Sequence, residues 1–174
     1  MRQEVLTWND IDKIVDMLVP QFRGAFDAML IITRGGIVPG GLLSEALGLH
    51  YVLTASVRFA EQLTALEVPS LLEPPKLLAW PEFLEFPSAE LLAGRRVLIV
   101  DDVWGSGRTI NAVRSRVEGA GGRPETCVFH YRPASSLFKQ AQPDYYAAIT
   151  DAYIVYPWEP RRDRDRKLMA WNPG

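Results

Sequence analysis

A chain of 174 residues, 48% apolar and 23% charged with a net charge of −2, has the composition of one ordinary globular domain able to bury its own core. The near-neutral, interspersed charge argues against bulk attraction to nucleic acid or anionic lipid. The single cysteine, Cys127, excludes an internal disulfide, and no apolar stretch approaches the roughly 18 residues of a membrane span.

The N-terminal run MRQEVLTWND lacks the apolar core of a secretory signal, so a cytoplasmic location is the default expectation. Asn9 or Asp10 is positioned to cap a first helix, in which Ile11, Ile14, Val15 and Leu18 form one buried stripe before Pro20 ends it. Ala28 to Thr33 is a short apolar run with the pattern of a buried strand, followed at once by Arg34-Gly35-Gly36. Pro39 suits the first turn of a second helix that Gly48 closes, and His50 to Val57 reads as a second strand. From Ala60 to Ala93 the chain carries Pro69, Pro74, Pro75, Pro81 and Pro87 with no clean period. That stretch is expected to be a long excursion with short strands or turns, and excursions of this length in compact domains are usually functional.

Arg95 to Asp102 restores order, with Val97, Leu98, Ile99 and Val100 as a continuous apolar strand ending in two acids. A Gly-rich turn and a helix follow, the helix carrying Ile110, Val113 and Val117 on one face and stopping at Gly119, Gly121 and Gly122. Glu125 to Tyr131 predicts another strand, in which Cys127 is a small buried hydrophobe, and Tyr153 to Val155 the last. Apolar strands alternating with helices imply a mostly parallel sheet covered on both faces. Arg161 to Lys167, interrupted by Asp163 and Asp165, reads as a solvated, charged tail over 161–174. One domain, 1–174, accounts for the whole chain.

The informative run is Val97 to Ile110. A buried strand delivers Asp101 and Asp102 to the carboxyl edge of the sheet, where open α/β sheets bind ligands. The chain then turns through Gly105-Ser106-Gly107 into a helix beginning near Arg108. Small residues admit an anion close to the backbone, and free amides and the helix dipole favour phosphate there. Ser106 and Thr109 add hydroxyls and Arg108 adds charge. The pattern is neither of two better-known phosphate loops. Counting back from Gly107, Asp102 occupies the first glycine of a Walker A loop and Arg108 replaces its lysine, while Ile110 occupies the last glycine of a dinucleotide fingerprint. Acids beside a phosphate loop must face something other than phosphate, and a vicinal diol supplies the hydroxyl donors that carboxylates accept. The ligand so inferred is a ribose 5-phosphate.

Those residues, Val97-Leu-Ile-Val-Asp-Asp-Val-Trp-Gly-Ser-Gly-Arg-Thr109, resemble the phosphoribosyl pyrophosphate (PRPP) motif of the type I phosphoribosyltransferases. Thr33-Arg34-Gly35-Gly36-Ile37-Val38-Pro39-Gly40 is similar to the pyrophosphate loop of the 6-oxopurine members. Ala152-Tyr153-Ile154-Val155-Tyr156-Pro157-Trp158-Glu159, with Asp144-Tyr145-Tyr146 before it, is similar to the base-binding hood of the xanthine-guanine and hypoxanthine types. The resemblance runs from Trp8 to Glu159, leaving out the insert.

The resemblance implies an open, mostly parallel sheet flanked by helices, a small hood, and a lid formed by the insert at 60–93. It implies displacement of pyrophosphate from C1 of PRPP by a nitrogen of a purine base, with Mg²⁺. Asp101 and Asp102 would act at the ribose hydroxyls, directly or through the metal, with Val103, Trp104, Gly105, Ser106, Gly107, Arg108 and Thr109 around the 5-phosphate. Arg34, Gly35 and Gly36 would hold pyrophosphate. Tyr153, the backbone of Ile154, and Arg132 would hold the base, and Glu159 is a candidate second contact for the metal. A homo-oligomer, dimer or tetramer, goes with the resemblance. Two positions depart from it. The 6-oxopurine members carry an aspartate general base where this chain has Gly105, and a lysine to the 6-oxo group where it has Arg132. These departures keep two alternatives open: a different acceptor base, or a PRPP-binding regulatory domain with little turnover.

Overall fold

The computed structural model describes residues 2–59 and 80–159. The first helix, α1 (Trp8–Leu18), is preceded by a short strand, β1 (Gln3–Val5). Its cap is Thr7 rather than Asn9 or Asp10. The Thr7 hydroxyl accepts from the Asp10 amide at 3.3 Å, and the Asp10 carboxylate accepts from the Thr7 amide at 2.9 Å. This reciprocal pair makes Asp10 the third helical residue.

β2 (Ala28–Thr33), α2 (Ile37–Leu47) and β3 (Val52–Phe59) follow. Gly48, at φ 60°, ends α2 in the left-handed region, as glycine beyond a helix end commonly does. The second half of the chain supplies β4 (Pro81–Glu85), β5 (Arg96–Trp104), α3 (Arg108–Gly119), β6 (Arg123–Tyr131), β7 (Tyr145–Ile149) and β8 (Tyr153–Val155).

Six strands form one sheet in the order β4-β3-β2-β5-β6-β7. All its pairings are parallel except that of β3 with β4. Alternation along the strands sorts the core into two layers. Met29, Ile31, Leu98, Val100, Cys127 and Phe129 face α1 and α2 through Ile11, Ile14, Leu18 and Leu43. Ala28, Leu30, Ile32, Val97, Ile99 and Val128 face α3 through Ile110, Val113 and Val117. Helices thus cover both faces, as strands apolar on both sides require. From β2 the chain crosses by α2 to β3 on one side, and from β5 by α3 to β6 on the other. The strand order therefore reverses between β2 and β5, and the loops leaving these strands open the crevice where such sheets bind ligands.

Two expectations are modified. The last strand, β8, does not join the main sheet; it pairs in parallel with β1, Ile154 opposite Glu4, as a separate two-stranded hood. Of the excursion expected to form a lid, residues 80–93 lie on the body of the protein instead. β4 closes the sheet edge, Phe83 and Phe86 pack on the α3 side of the core, and Leu92 is fully buried. Residues 60–79 and the charged tail lie outside the described residues. Among the described residues no helix is long and apolar enough to cross a membrane.

Candidate active site

β5 runs two residues beyond the acids, so Asp101 and Asp102 belong to the strand and Gly105–Gly107 form the turn. Both carboxylates are partly buried and fastened to neighbouring backbone. Asp101 Oδ1 accepts from the Asp102 amide at 2.9 Å, and Asp102 Oδ1 from the Val103 amide at 2.7 Å. Burial, and next the charge of Asp102, push Asp101 well above the usual carboxylate range. Burial likewise raises Asp102. Two desolvated acids side by side are a cost to the fold that a bound cation or a hydroxyl-rich ligand offsets.

The loop after β2 reaches the same edge. A β-carbon on Gly35 would lie 2.6 Å from Oδ1 of Asp101 and of Asp102, and one on Gly36 would run into the carbonyl oxygens of Val100 and Ile32. Only glycine allows the loop so close. The Thr33–Arg34 peptide is cis, and Arg34 is exposed at the crevice loop.

Beyond β5, Gly107 takes φ 77° as the N-cap of α3, and a side chain there would strike the Trp104 indole at 2.6 Å. Gly107 brings no side-chain cap to this helix, and helix starts of this kind, rich in free amides, favour anions. Ser106 Oγ accepts from the Arg108 amide at 3.3 Å, and the Ser106 carbonyl accepts from Leu137 at 3.0 Å. The Arg108 guanidinium lies 4.0 Å from the centre of the Phe59 ring. Val103 and Thr109 are partly buried. Trp104, expected among the phosphate-site residues, turns its side chain into the core at 1% exposure and donates from Nε1 to Ser136 Oγ at 3.3 Å. Its part in the site is to support the loop from beneath. A β-carbon on Gly105 would meet nothing within 4 Å, so the departure from aspartate leaves open space.

Arg132 follows β6, and its amide donates to the Trp104 carbonyl at 2.9 Å, next to Gly105. Its Nε is buried without a hydrogen-bond partner, a donor whose burial is costly until an acceptor arrives. In the hood, the Tyr153 amide donates to the Arg2 carbonyl at 2.8 Å and the Val155 carbonyl accepts from Leu6 at 2.9 Å. Alternation along the strand then turns the amide and carbonyl of Ile154 away from β1. The Ile154 side chain is buried, while Tyr153 is 44% exposed.

Residues that the sequence reading did not assign to the site hold it together. The Tyr156 hydroxyl donates to the Asp102 carbonyl at 3.1 Å and meets His130 Nδ1 at 2.8 Å. His130 is buried in the core, and burial lowers its pKa to about 4. Burial and then Asp102 raise Glu159, which places this acid in the field of the pair. Among the described residues, however, no three His, Cys, Asp or Glu side chains are grouped to hold a metal by themselves. A cation at Asp101, Asp102 and Glu159 would need most of its oxygens from elsewhere. Cys127 is buried, its thiol pushed up by burial, and takes no part.

The family model described as phosphoribosyl transferase domain matches residues 4–164. The xanthine-guanine phosphoribosyltransferase of Cereibacter sphaeroides is 30% identical over 155 residues, covering 82% of this chain and 79% of that protein. The enzyme of the same name from Roseobacter denitrificans is 28% identical, covering 79% and 70%. Among solved structures, the purine phosphoribosyltransferase from Pyrococcus horikoshii superposes with a TM-score of 0.73 at 26% identity, over 92% of this chain and 96% of that one.

Proposed function

We propose, from the premise that this chain belongs to the phosphoribosyltransferase family, that it transfers ribose 5-phosphate from PRPP to a 6-oxopurine base (hypoxanthine, guanine or xanthine) with release of pyrophosphate, a salvage reaction. Membership makes the protein a glycosyltransferase-type enzyme. The observation that carries the reading is the meeting of two loops at the sheet's switch point. Gly35 lies against the carboxylates of Asp101 and Asp102, and α3 starts directly after the Gly105–Gly107 turn that follows β5. A diol-accepting acid pair between two anion cradles matches a sugar that bears a phosphate on one side and a pyrophosphate on the other.

In this reading the amides from Gly105 to Thr109 hold the 5-phosphate, the Arg34–Gly36 loop holds pyrophosphate, and Asp101 and Asp102 orient the ribose hydroxyls. Arg132, beside the Gly105 turn through its amide bond to Trp104, donates to an oxo group of the base. The free edge of Ile154 reads the base, and Tyr153 covers its face. Magnesium fits here: two desolvated acids with raised pKa values call for a cation, and a cation that keeps few protein ligands is the usual habit of Mg²⁺ beside phosphates. When bound it neutralises charge on the leaving pyrophosphate. A dimer or tetramer in the cytoplasm goes with this reading, the first checked by sedimentation.

The Gly105 position favours one second reading, an acceptor other than a 6-oxopurine, because nothing in that turn replaces the general base. Incubation with Mg²⁺-PRPP and separate bases, following pyrophosphate, tests both. Release with hypoxanthine, guanine or xanthine supports the first reading. Release only with another base supports the second. PRPP binding without release for any base leaves a ligand-binding domain and overturns both.

A further inference from the structure

Tyr156 belongs to neither substrate subsite, yet it joins them. Its ring is 1% exposed, stacked on Trp158 at 4.4 Å with 10° between planes. Its hydroxyl reaches the main-chain carbonyl of Asp102 at 3.1 Å. A carbonyl only accepts, so the phenol donates its one hydrogen there. The phenolic oxygen must then accept from His130, 2.8 Å away, and His130 must carry its hydrogen on Nδ1. Burial keeps that imidazole neutral, which suits a tautomer fixed by its partner. His130 is set by register opposite Val103, the residue after Asp102. The chain therefore closes a small loop: acid strand, adjacent strand, imidazole, phenol, and back to the acid strand.

The other end of Tyr156 leads to the hood. Tyr153 and Ile154 lie just ahead of it on β8, and Glu159 just after it, its amide bonded to the Tyr156 carbonyl at 3.0 Å. Among the described residues no strand pairing joins the hood to the main sheet, and β8 pairs with β1 alone. The Tyr156 hydroxyl is thus a specific polar link between the segment that faces the acceptor and the strand that carries the acids.

We propose that Tyr156 is a positioning residue, preset by His130, that holds the hood segment at a fixed separation from the Asp101–Asp102 edge so that acceptor base and sugar meet in reacting geometry; this rests on the purine-transfer reading above. Small misplacement of reactants costs rate more than affinity.

Tyr156→Phe keeps the ring and removes the oxygen. With the full-length chain, Mg²⁺-PRPP and the accepted purine, kcat is expected to fall about tenfold while KM for each substrate moves less than about twofold. Phe129→Leu, at a buried ring 6.4 Å from Trp158, loosens the same aromatic group and is expected to lower Tm while leaving kcat in place. His130→Asn keeps an N–H near the Nδ1 position and should retain kcat. His130→Leu should lose it, and the double variant Tyr156→Phe/His130→Leu should lose no more than either alone. Amide exchange, measured without any base, should quicken over Tyr153–Val155 in Tyr156→Phe beyond its value in Phe129→Leu. Equal kcat losses in those two variants, or hood exchange that does not separate them, would overturn the proposal. Separated exchange in a protein that forms no nucleotide from any base would support the link and count against the purine-transfer reading alone.

Discussion

Gly35 sits against Asp102 so closely that a single added methyl would lie 2.6 Å from the carboxylate oxygen. That oxygen is already engaged by the Val103 amide at 2.7 Å, so it cannot simply swing aside. Gly35→Ala must push the Arg34–Gly36 loop and the acid pair apart. Overpacking of this kind costs about 1–3 kcal/mol. The expected outcome is a fall of roughly tenfold to a hundredfold in kcat/KM for PRPP, with the rest of the fold retained by circular dichroism. Initial rates at varied PRPP check it, and an unchanged kcat/KM would mean that the two loops do not share a ligand.

Asp101→Asn should separate stability from function. Burial and the Asp102 charge raise Asp101 in the folded state, so the folded chain binds this proton more tightly than the unfolded one. The contribution of Asp101 to stability is then most favourable at acid pH. It is lost as pH rises from the unfolded carboxylate range through the raised folded value. Asparagine removes the buried charge and can still accept from the Asp102 amide. At neutral pH the variant should melt higher, by about 2–4 °C for a gain near 1 kcal/mol, and the gain should vanish towards pH 4. Transfer activity should fall at the same time. Melting curves across pH read the first effect, and a variant that melts lower at neutral pH would contradict it.

Gly105→Asp tests the meaning of the open space in the turn. With nothing within 4 Å of the new β-carbon and no positive φ at this glycine, the substitution should fold without penalty. General-base assistance is typically worth about 10²–10⁴-fold, so even an imperfectly aimed carboxylate should raise kcat for a 6-oxopurine by roughly tenfold. Steady-state kinetics with hypoxanthine and guanine check this. No gain would shift the explanation for the glycine away from the missing base.

Much of this was legible in the residues, and what was not has a physical reason. β2, β5 and β6 are buried on both faces, and their apolar runs announce them. The Gly-rich turn after two acids is likewise a local signal, so the ligand class could be read before the fold. β1, β4 and β7 escaped. Gln3-Glu4-Val5 is exposed throughout, β4 begins with proline and shows only an edge, and β7 follows Pro143-Asp144 with little apolar weight before Tyr145. β8 was visible as a strand but its partner was not, because pairing with Gln3–Val5 joins segments far apart in the sequence. The Thr7 cap was missed because Asn9 and Asp10 are equally good capping types, and geometry alone selects among them. In the site, the contact of Gly35 with the acids and the bond of Tyr156 to Asp102 are long-range, and no sequence spacing reports them. Trp104 looked like a loop residue only because β5 runs two residues beyond the acids that end its apolar stretch.

The central claim is that the Asp101–Thr109 edge holds PRPP while a purine attacks it. Direct detection of the product tests this most plainly: full-length protein, Mg²⁺, PRPP and one purine at a time, with the nucleoside 5′-monophosphate resolved by chromatography and mass. The account predicts that hypoxanthine, guanine or xanthine is converted to its monophosphate with one pyrophosphate released per nucleotide, and that Asp102→Asn abolishes both. Pyrophosphate released without nucleotide, or no nucleotide from any of the three bases, would contradict it.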